Sequence, residues 1–165
     1  MKSVTISTAA LLLAFGAGQA MAAVSSADKI FATKAAAGGQ AEVAFGQLAT
    51  QNASSARVKQ FGEQMVTDHT RANEELVLIG RKLDLNLPKG LDAKDQATES
   101  KLSTTKGEAF DDAYMKDMVQ DHEEDVADFR KEAETGQDPE LKAFAAKYLP
   151  VLEHHLQMAE AAAPK

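Results

Sequence analysis

From about residue 26 onwards, apolar residues recur at intervals of three and four, and no stretch alternates apolar and polar positions for long enough to make a sheet. The first periodic segment spans about 26–50, with Ser25 or Ser26 as its cap and Ile30, Phe31, Ala41, Phe45 and Leu48 on its apolar side. Gly38-Gly39 falls in its middle, at a cost of about 1 kcal/mol per Gly relative to Ala. Small residues there point to close approach by another helix, or to a kink. The second segment spans about 55–83, capped by Ser54, with a stripe of Val58, Phe61, Met65, Ala72, Leu76, Ile79 and Leu83. Leu87-Pro88-Lys89-Gly90 then signals a loop. A short polar helix over about 92–103 follows Asp92 and is expected outside the core. The third long helix spans about 107–134 through Phe110, Tyr114, Met118, Val126, Phe129 and Ala133, and Gly136 ends it. Asp138-Pro139-Glu140 supplies a cap, a first-turn proline and an acid for the fourth, which spans about 138–161. Leu141, Phe144, Tyr148, Leu152, Leu156 and Ala159 form its stripe, and Pro150 is expected to kink it.

Four long amphipathic helices with short connections and one longer crossover define an all-α four-helix bundle. An internal repeat supports a particular plan. Met65-Val66-Thr67-Asp68-His69 matches Met118-Val119-Gln120-Asp121-His122, with Phe61 and Tyr114 each one helical turn upstream. The repeat suggests two related helical hairpins, joined by the 84–106 segment that carries the short extra helix. That is the plan of a ferritin-like bundle.

The N-terminal segment 1–22 does not fit this pattern. Lys2 is followed by an apolar and small-residue run from Ile6 to Ala17 and by Ala20-Met21-Ala22, an A-x-A cleavage site. This reads as a secretory signal peptide, too short for a transmembrane span. The expected organisation is a signal peptide over 1–22 and one bundle domain over 23–165. Cleavage removes Lys2 and no acid, so the mature chain is one charge more negative than the −7 of the whole sequence. Such an acidic balance argues against a nucleic-acid partner. The mature chain has no membrane-spanning stretch, which leaves an envelope protein or a second copy as the partners open to it. There is no Cys, so disulfides, thiolate chemistry and Cys-ligated metals are excluded. His, Glu, Asp and Met remain as ligand types.

Those residue types punctuate the apolar stripes. His69 and His122 each lie one turn past a core Met and share its face. His155 continues Tyr148 and Leu152, whereas His154 lies about 100° away and is expected to be exposed. Glu42 is the one acid among Phe31, Ala35, Gly38, Phe45 and Ala49. Each long helix therefore offers one ligand-type side chain: Glu42, His69, His122 and His155. In an up-down bundle, late in the fourth helix and mid-to-late in the second lie toward the same end. Three readings stand open. The four could bind one transition-metal ion, since three imidazoles and a carboxylate suit Zn, Cu or Fe, with Asp68 and Asp121 orienting the neighbouring rings from outside. They could form a metal-free buried network in which Glu42 pairs a histidinium. Each His could instead sit half-exposed at a helix boundary. Met65 and Met118 are soft alternative ligands for copper, although Met at helical spacing usually fills a core.

Other chemistry lacks its motif. Val66, Val119 and Leu152 stand where Glu would have to precede His69, His122 and His155, so the Glu-x-x-His pairs of a carboxylate-bridged di-iron site are missing. No G-x-S-x-G, P-loop or G-x-G-x-x-G occurs, and no catalytic or organic-cofactor residue is assigned. The acid-rich run from Asp117 to Asp128 reads as a solvated helix face.

The stretches FATKAAAGGQAEVAFGQLA, FGEQMVTDHTRANEEL, FDDAYMKDMVQDHEEDVADFRKEA and LKAFAAKYLPVLEHHLQMA together resemble a bacterial family catalogued as domain of unknown function 4142. The resemblance covers about 28–160 and implies a ferritin-like helical bundle exported to the periplasm. Many members carry an outer-membrane label. It directs attention to Glu42, to the Asp68-His69 and Asp121-His122 pairs, and to the His of L-P-x-L-x-x-H, here His155. His154 is an added second His beside that motif. No established reaction comes with the family.

Overall fold

The computed structural model describes residues 23–163. Five helices follow in order: α1 (Ser26–Asn52), α2 (Ala56–Lys82), α3 (Ala93–Thr104), α4 (Glu108–Thr135) and α5 (Pro139–Ala162). The proposed signal peptide lies outside the described residues.

The caps account for most of the boundaries. The Ser25 side chain accepts from the Asp28 N–H, Asp92 from Asp95, and Asp138 from Glu140 and Leu141. Gly107 precedes α4 with φ +66, a left-handed conformation open to glycine at no steric cost. The α2 start departs from expectation. Its cap residue is Ser55, and Ser54 makes no cap bond of its own. Instead the Asp111 carboxylate on α4 accepts the N–H groups of Ser54 at 3.1 Å and Ser55 at 2.9 Å, and the Ser54 hydroxyl at 2.5 Å. The opposite end of the bundle repeats the device. Asp28 on α1 accepts the N–H groups of Gln137 at 3.1 Å and Asp138 at 3.0 Å, where α5 begins. Each hairpin's first helix thus holds the turn of the other hairpin.

Helices α1 and α2 pack as one hairpin and α4 and α5 as the other, with α1 against α4 and α2 against α5. Around the bundle the order is α1, α2, α5, α4. The α1 start meets the α5 start through Asp28, and the α2 start meets the α4 start through Asp111. Arg57 of α2 reaches the Ala161 carbonyl at the far end of α5. All neighbouring helices are therefore antiparallel, and the parallel pairs, α2 with α4 and α1 with α5, sit on the diagonals. The chain runs up, down, down, up, so α2 and α5 do not share a direction, as the strict up-down register would require. The crossover between α2 and α4 carries α3.

The apolar core falls into two clusters. One gathers Phe45, Phe61, Met65, Phe110, Tyr114 and Met118 with Leu102. The other gathers Phe31, Leu76, Phe129, Leu141, Phe144 and Tyr148. Two expectations change here. Most of α3 is exposed, but Leu102 is buried in the first cluster, so this helix does contribute to the core. Ile30 is 59% exposed, outside the α1 stripe. Helix α5 runs through Pro150 without interruption.

Candidate metal centre

In every long helix a polar side chain lies at or beside the boundary between the two apolar clusters: Glu42, His69, His122 and His155. Their exposures are 2%, 5%, 0% and 1%. His154, adjacent to His155 in the chain, is exposed. The convergence follows from register. On the parallel diagonal α2 and α4, the stretch from Ser55 to His69 matches the stretch from Gly107 to His122 to within a single position. On the diagonal α1 and α5, the stretch from Ser25 to Glu42 equals the stretch from Asp138 to His155. Parallel helices with matching offsets bring both pairs to one level.

The ring centroids are 5.8 Å apart for His69 and His122, 5.4 Å for His69 and His155, and 5.4 Å for His122 and His155. One nitrogen from each ring lies within 4.8 Å of the other two. Glu42 reaches two of the three rings, with Oε2 2.8 Å from His69 Nδ1 and Oε1 3.2 Å from His122 Nε2. The reading in which each His is half-exposed at a helix boundary is therefore excluded.

Each ring has one nitrogen facing a partner, which for His122 and His155 lies outside the layer. His69 Nδ1 faces Glu42, His122 Nδ1 lies 2.9 Å from the Met118 carbonyl, and His155 Nε2 lies 3.0 Å from Asp68 Oδ2. The other nitrogens, His69 Nε2, His122 Nε2 and His155 Nδ1, have no hydrogen-bond partner, and neither Glu42 oxygen makes an aligned one. Buried polar atoms left this way cost free energy unless something satisfies them. A cavity of about 20 Å³ lies against Glu42, His69 and His155, about enough for one water or one ion.

Three crowded imidazoles surround one carboxylate. Burial pushes the Glu42 carboxyl up, but the facing His69 and His122 outweigh it and hold it at about 2. Burial lowers His122 and is opposed by Glu42. Burial and the neighbouring His69 lower His155 to about 4. Neutral imidazoles are the metal-ligating form.

Asp68 and Asp121 occupy equivalent places in the repeated word but do different things. Asp68 precedes His69 yet hydrogen-bonds His155 on the adjacent α5. Asp121 lies 3.6 Å from Lys94 of α3. Met65 and Met118 are fully buried in the first apolar cluster. The acid run is not simply a solvated face. Asp117, Asp121, Asp125 and Asp128 are half-buried along one side of α4, and Asp125 lines the cavity beside the rings. Their spacing of four, four and three was the available signal.

An antiparallel four-helix bundle with a buried His and Glu layer defines the class. The chain belongs to the DUF4142 family, a domain of unknown function, whose profile matches residues 14–162. Among solved structures it is similar to a DUF305 fragment from Deinococcus radiodurans, with TM-score 0.72 and 10% identity, covering 84% of this chain and 95% of that one. A DUF305 protein from Streptomyces coelicolor, described as secreted, gives TM-score 0.68 and 15% identity over 81% of this chain and 88% of that one. CopM in an Ag-bound form gives TM-score 0.66 and 16% identity over 81% and 93%. No curated protein matches the chain. No helix among the described residues is long and apolar enough to cross a membrane.

Proposed function

We propose that this chain is an exported, periplasmic metal-binding protein whose Glu42, His69, His122 and His155 hold one transition-metal ion. The observation that carries the reading is the division of labour in each imidazole. In His122 and His155 one nitrogen is oriented by a carbonyl or a carboxylate outside the layer, in His69 it faces Glu42 within the layer, and the other nitrogen of each ring has no hydrogen-bond partner. Ligating histidines are held in this way. The 3.2 Å between His122 Nε2 and Glu42 Oε1 also matches the edge of about 3.3 Å between two ligands in a tetrahedral zinc site with bonds of about 2.0 Å. Zn and Cu suit imidazole and carboxylate donors, and Fe remains compatible. A structural neighbour that binds Ag supports the reading, as does the leader-like composition of residues 1–22 for export.

Metal analysis of the purified protein tests this. One equivalent of Zn or Cu should be present or taken up, and lost in His69→Ala and in His122→Ala. Absence of metal, together with a melting temperature unmoved by added Zn or Cu, would sink the proposal. The strong hold of His69 and His122 on the Glu42 charge favours a second reading, a metal-free network in a structural or stress-related envelope protein. There the same variants lose stability with no dependence on metal.

A further inference from the structure

We infer that the acidic cavity between α1, α3 and α4 is the inlet through which a hydrated divalent transition-metal cation reaches the histidine layer. The inference rests on the metal-site reading above and adds the route. The cavity has a volume of about 250 Å³ and is lined by Asp92, Asp95, Asp121, Glu124 and Asp125, against two lysines, Lys34 and Lys94. Both lysines are drawn into ion pairs, Lys34 with Asp128 at 2.8 Å and Lys94 with Asp121 at 3.6 Å. These pairs leave Asp92, Asp95 and Glu124 without a lysine partner among the described residues, so the mouth keeps a net negative charge, and a concave, predominantly negative wall concentrates cations and speeds their arrival.

The cavity ends on Glu42. This side chain is 2% exposed, and neither carboxylate oxygen makes a hydrogen bond. Glu42 and Asp125 line both this cavity and the small one beside His69 and His155. The two spaces therefore share a wall made of carboxylates, a group that can replace the water of a cation in steps. Gly38 keeps the passage open. A Cβ built there would meet only Asp125 Oδ1, at 3.9 Å. The opposite approach, between α1 and α2, is stoppered. A Cβ at Gly39 would lie 2.2 Å from Asn73 Oδ1, because the Asn73 side chain fills that gap.

The test uses the purified protein with Cu²⁺ as the probe ion. The chain has two Tyr and no Trp, so tyrosine emission is readable, and Tyr148 lines the small cavity. Quenching is followed by stopped flow, and stoichiometry by equilibrium dialysis. Replacing Asp92 and Asp95 with Asn and Glu124 with Gln in one chain should slow association about tenfold and flatten its salt dependence. Gly38→Leu should slow association and release alike and leave affinity unchanged. Asn73→Ala should leave the association rate as it is. Circular dichroism confirms that each variant is folded. If wild type takes up no stoichiometric Cu²⁺, the metal-site reading falls and the inlet with it. If wild type binds but neither the charge variant nor Gly38→Leu slows uptake, or if Asn73→Ala accelerates it, the inlet alone is overturned.

Discussion

Asp68 Oδ2 lies 3.0 Å from His155 Nε2, so the carboxylate beside one candidate ligand in sequence orients a different one in space. The bond links α2 to α5 and fixes which His155 nitrogen faces the layer. Asp68→Ala should therefore weaken metal binding by about 10–100-fold without abolishing it. Asp121→Ala, in the equivalent place of the repeated word but paired with Lys94, should leave equilibrium affinity nearly unchanged. Competitive titration against a chelator of known affinity distinguishes the two.

The two acid clasps at the bundle ends should be independent. Asp111→Ala removes the acceptor of three donors at the α2 start, and Asp28→Ala that of two backbone donors at the α5 start. Each is expected to cost about 1–2 kcal/mol in urea denaturation, in line with lost helix caps. The double variant should show the sum, because the sites lie at opposite ends and share no partner.

Glycines on one helix should respond with opposite signs. A Cβ at Gly38 meets ordinary space, so Gly38→Ala should stabilise the fold by up to about 1 kcal/mol. A Cβ at Gly46 would lie 2.7 Å from the backbone oxygen of Gly62 on α2. Backbone cannot yield as a side chain does, so Gly46→Ala should destabilise by about 1–3 kcal/mol. Thermal melts of the metal-free protein read both.

Glu132 sets a pH dependence remote from the histidines. Burial and then the adjacent Asp28 raise its carboxyl to about 7. The folded chain keeps a proton that the unfolded chain releases near the ordinary value of 4.5. This contribution to stability is full below that value and is lost as pH rises toward about 7. Glu132→Gln should thus gain stability relative to wild type between about pH 5 and about pH 8. A constant difference between the two proteins over that range would contradict the assignment.

Local signals made much of this fold legible. The Asp92 and Asp138 caps, the loop at Pro88 and the three-and-four stripes place the helices within a residue or two of their observed limits. The Met65–His69 and Met118–His122 word and the lone acid at position 42 pointed to the four side chains that converge. What stayed hidden depends on contacts between distant segments. Nothing near Ser54 announces that Asp111 holds it, and the Asp68-His155 bond needs the packing of α2 on α5. The role of Asp125 needed the face of α4 to be known, since an acid one turn past His122 reads equally well as solvated. Leu102 was hidden by the polarity of the rest of α3.

The matching offsets from cap to polar layer impose an asymmetry on how this chain can change. Inserting or deleting one residue between Ser25 and Glu42, or in the corresponding stretch of another long helix, would rotate that side chain by about 100° and shift it by about 1.5 Å along the axis. The stretches from cap to layer in all four long helices are therefore locked in length to one another. The crossover between α2 and α4 lies outside every such stretch, so a change in its length would leave the layer itself in place while moving Leu102 and the acids of α3.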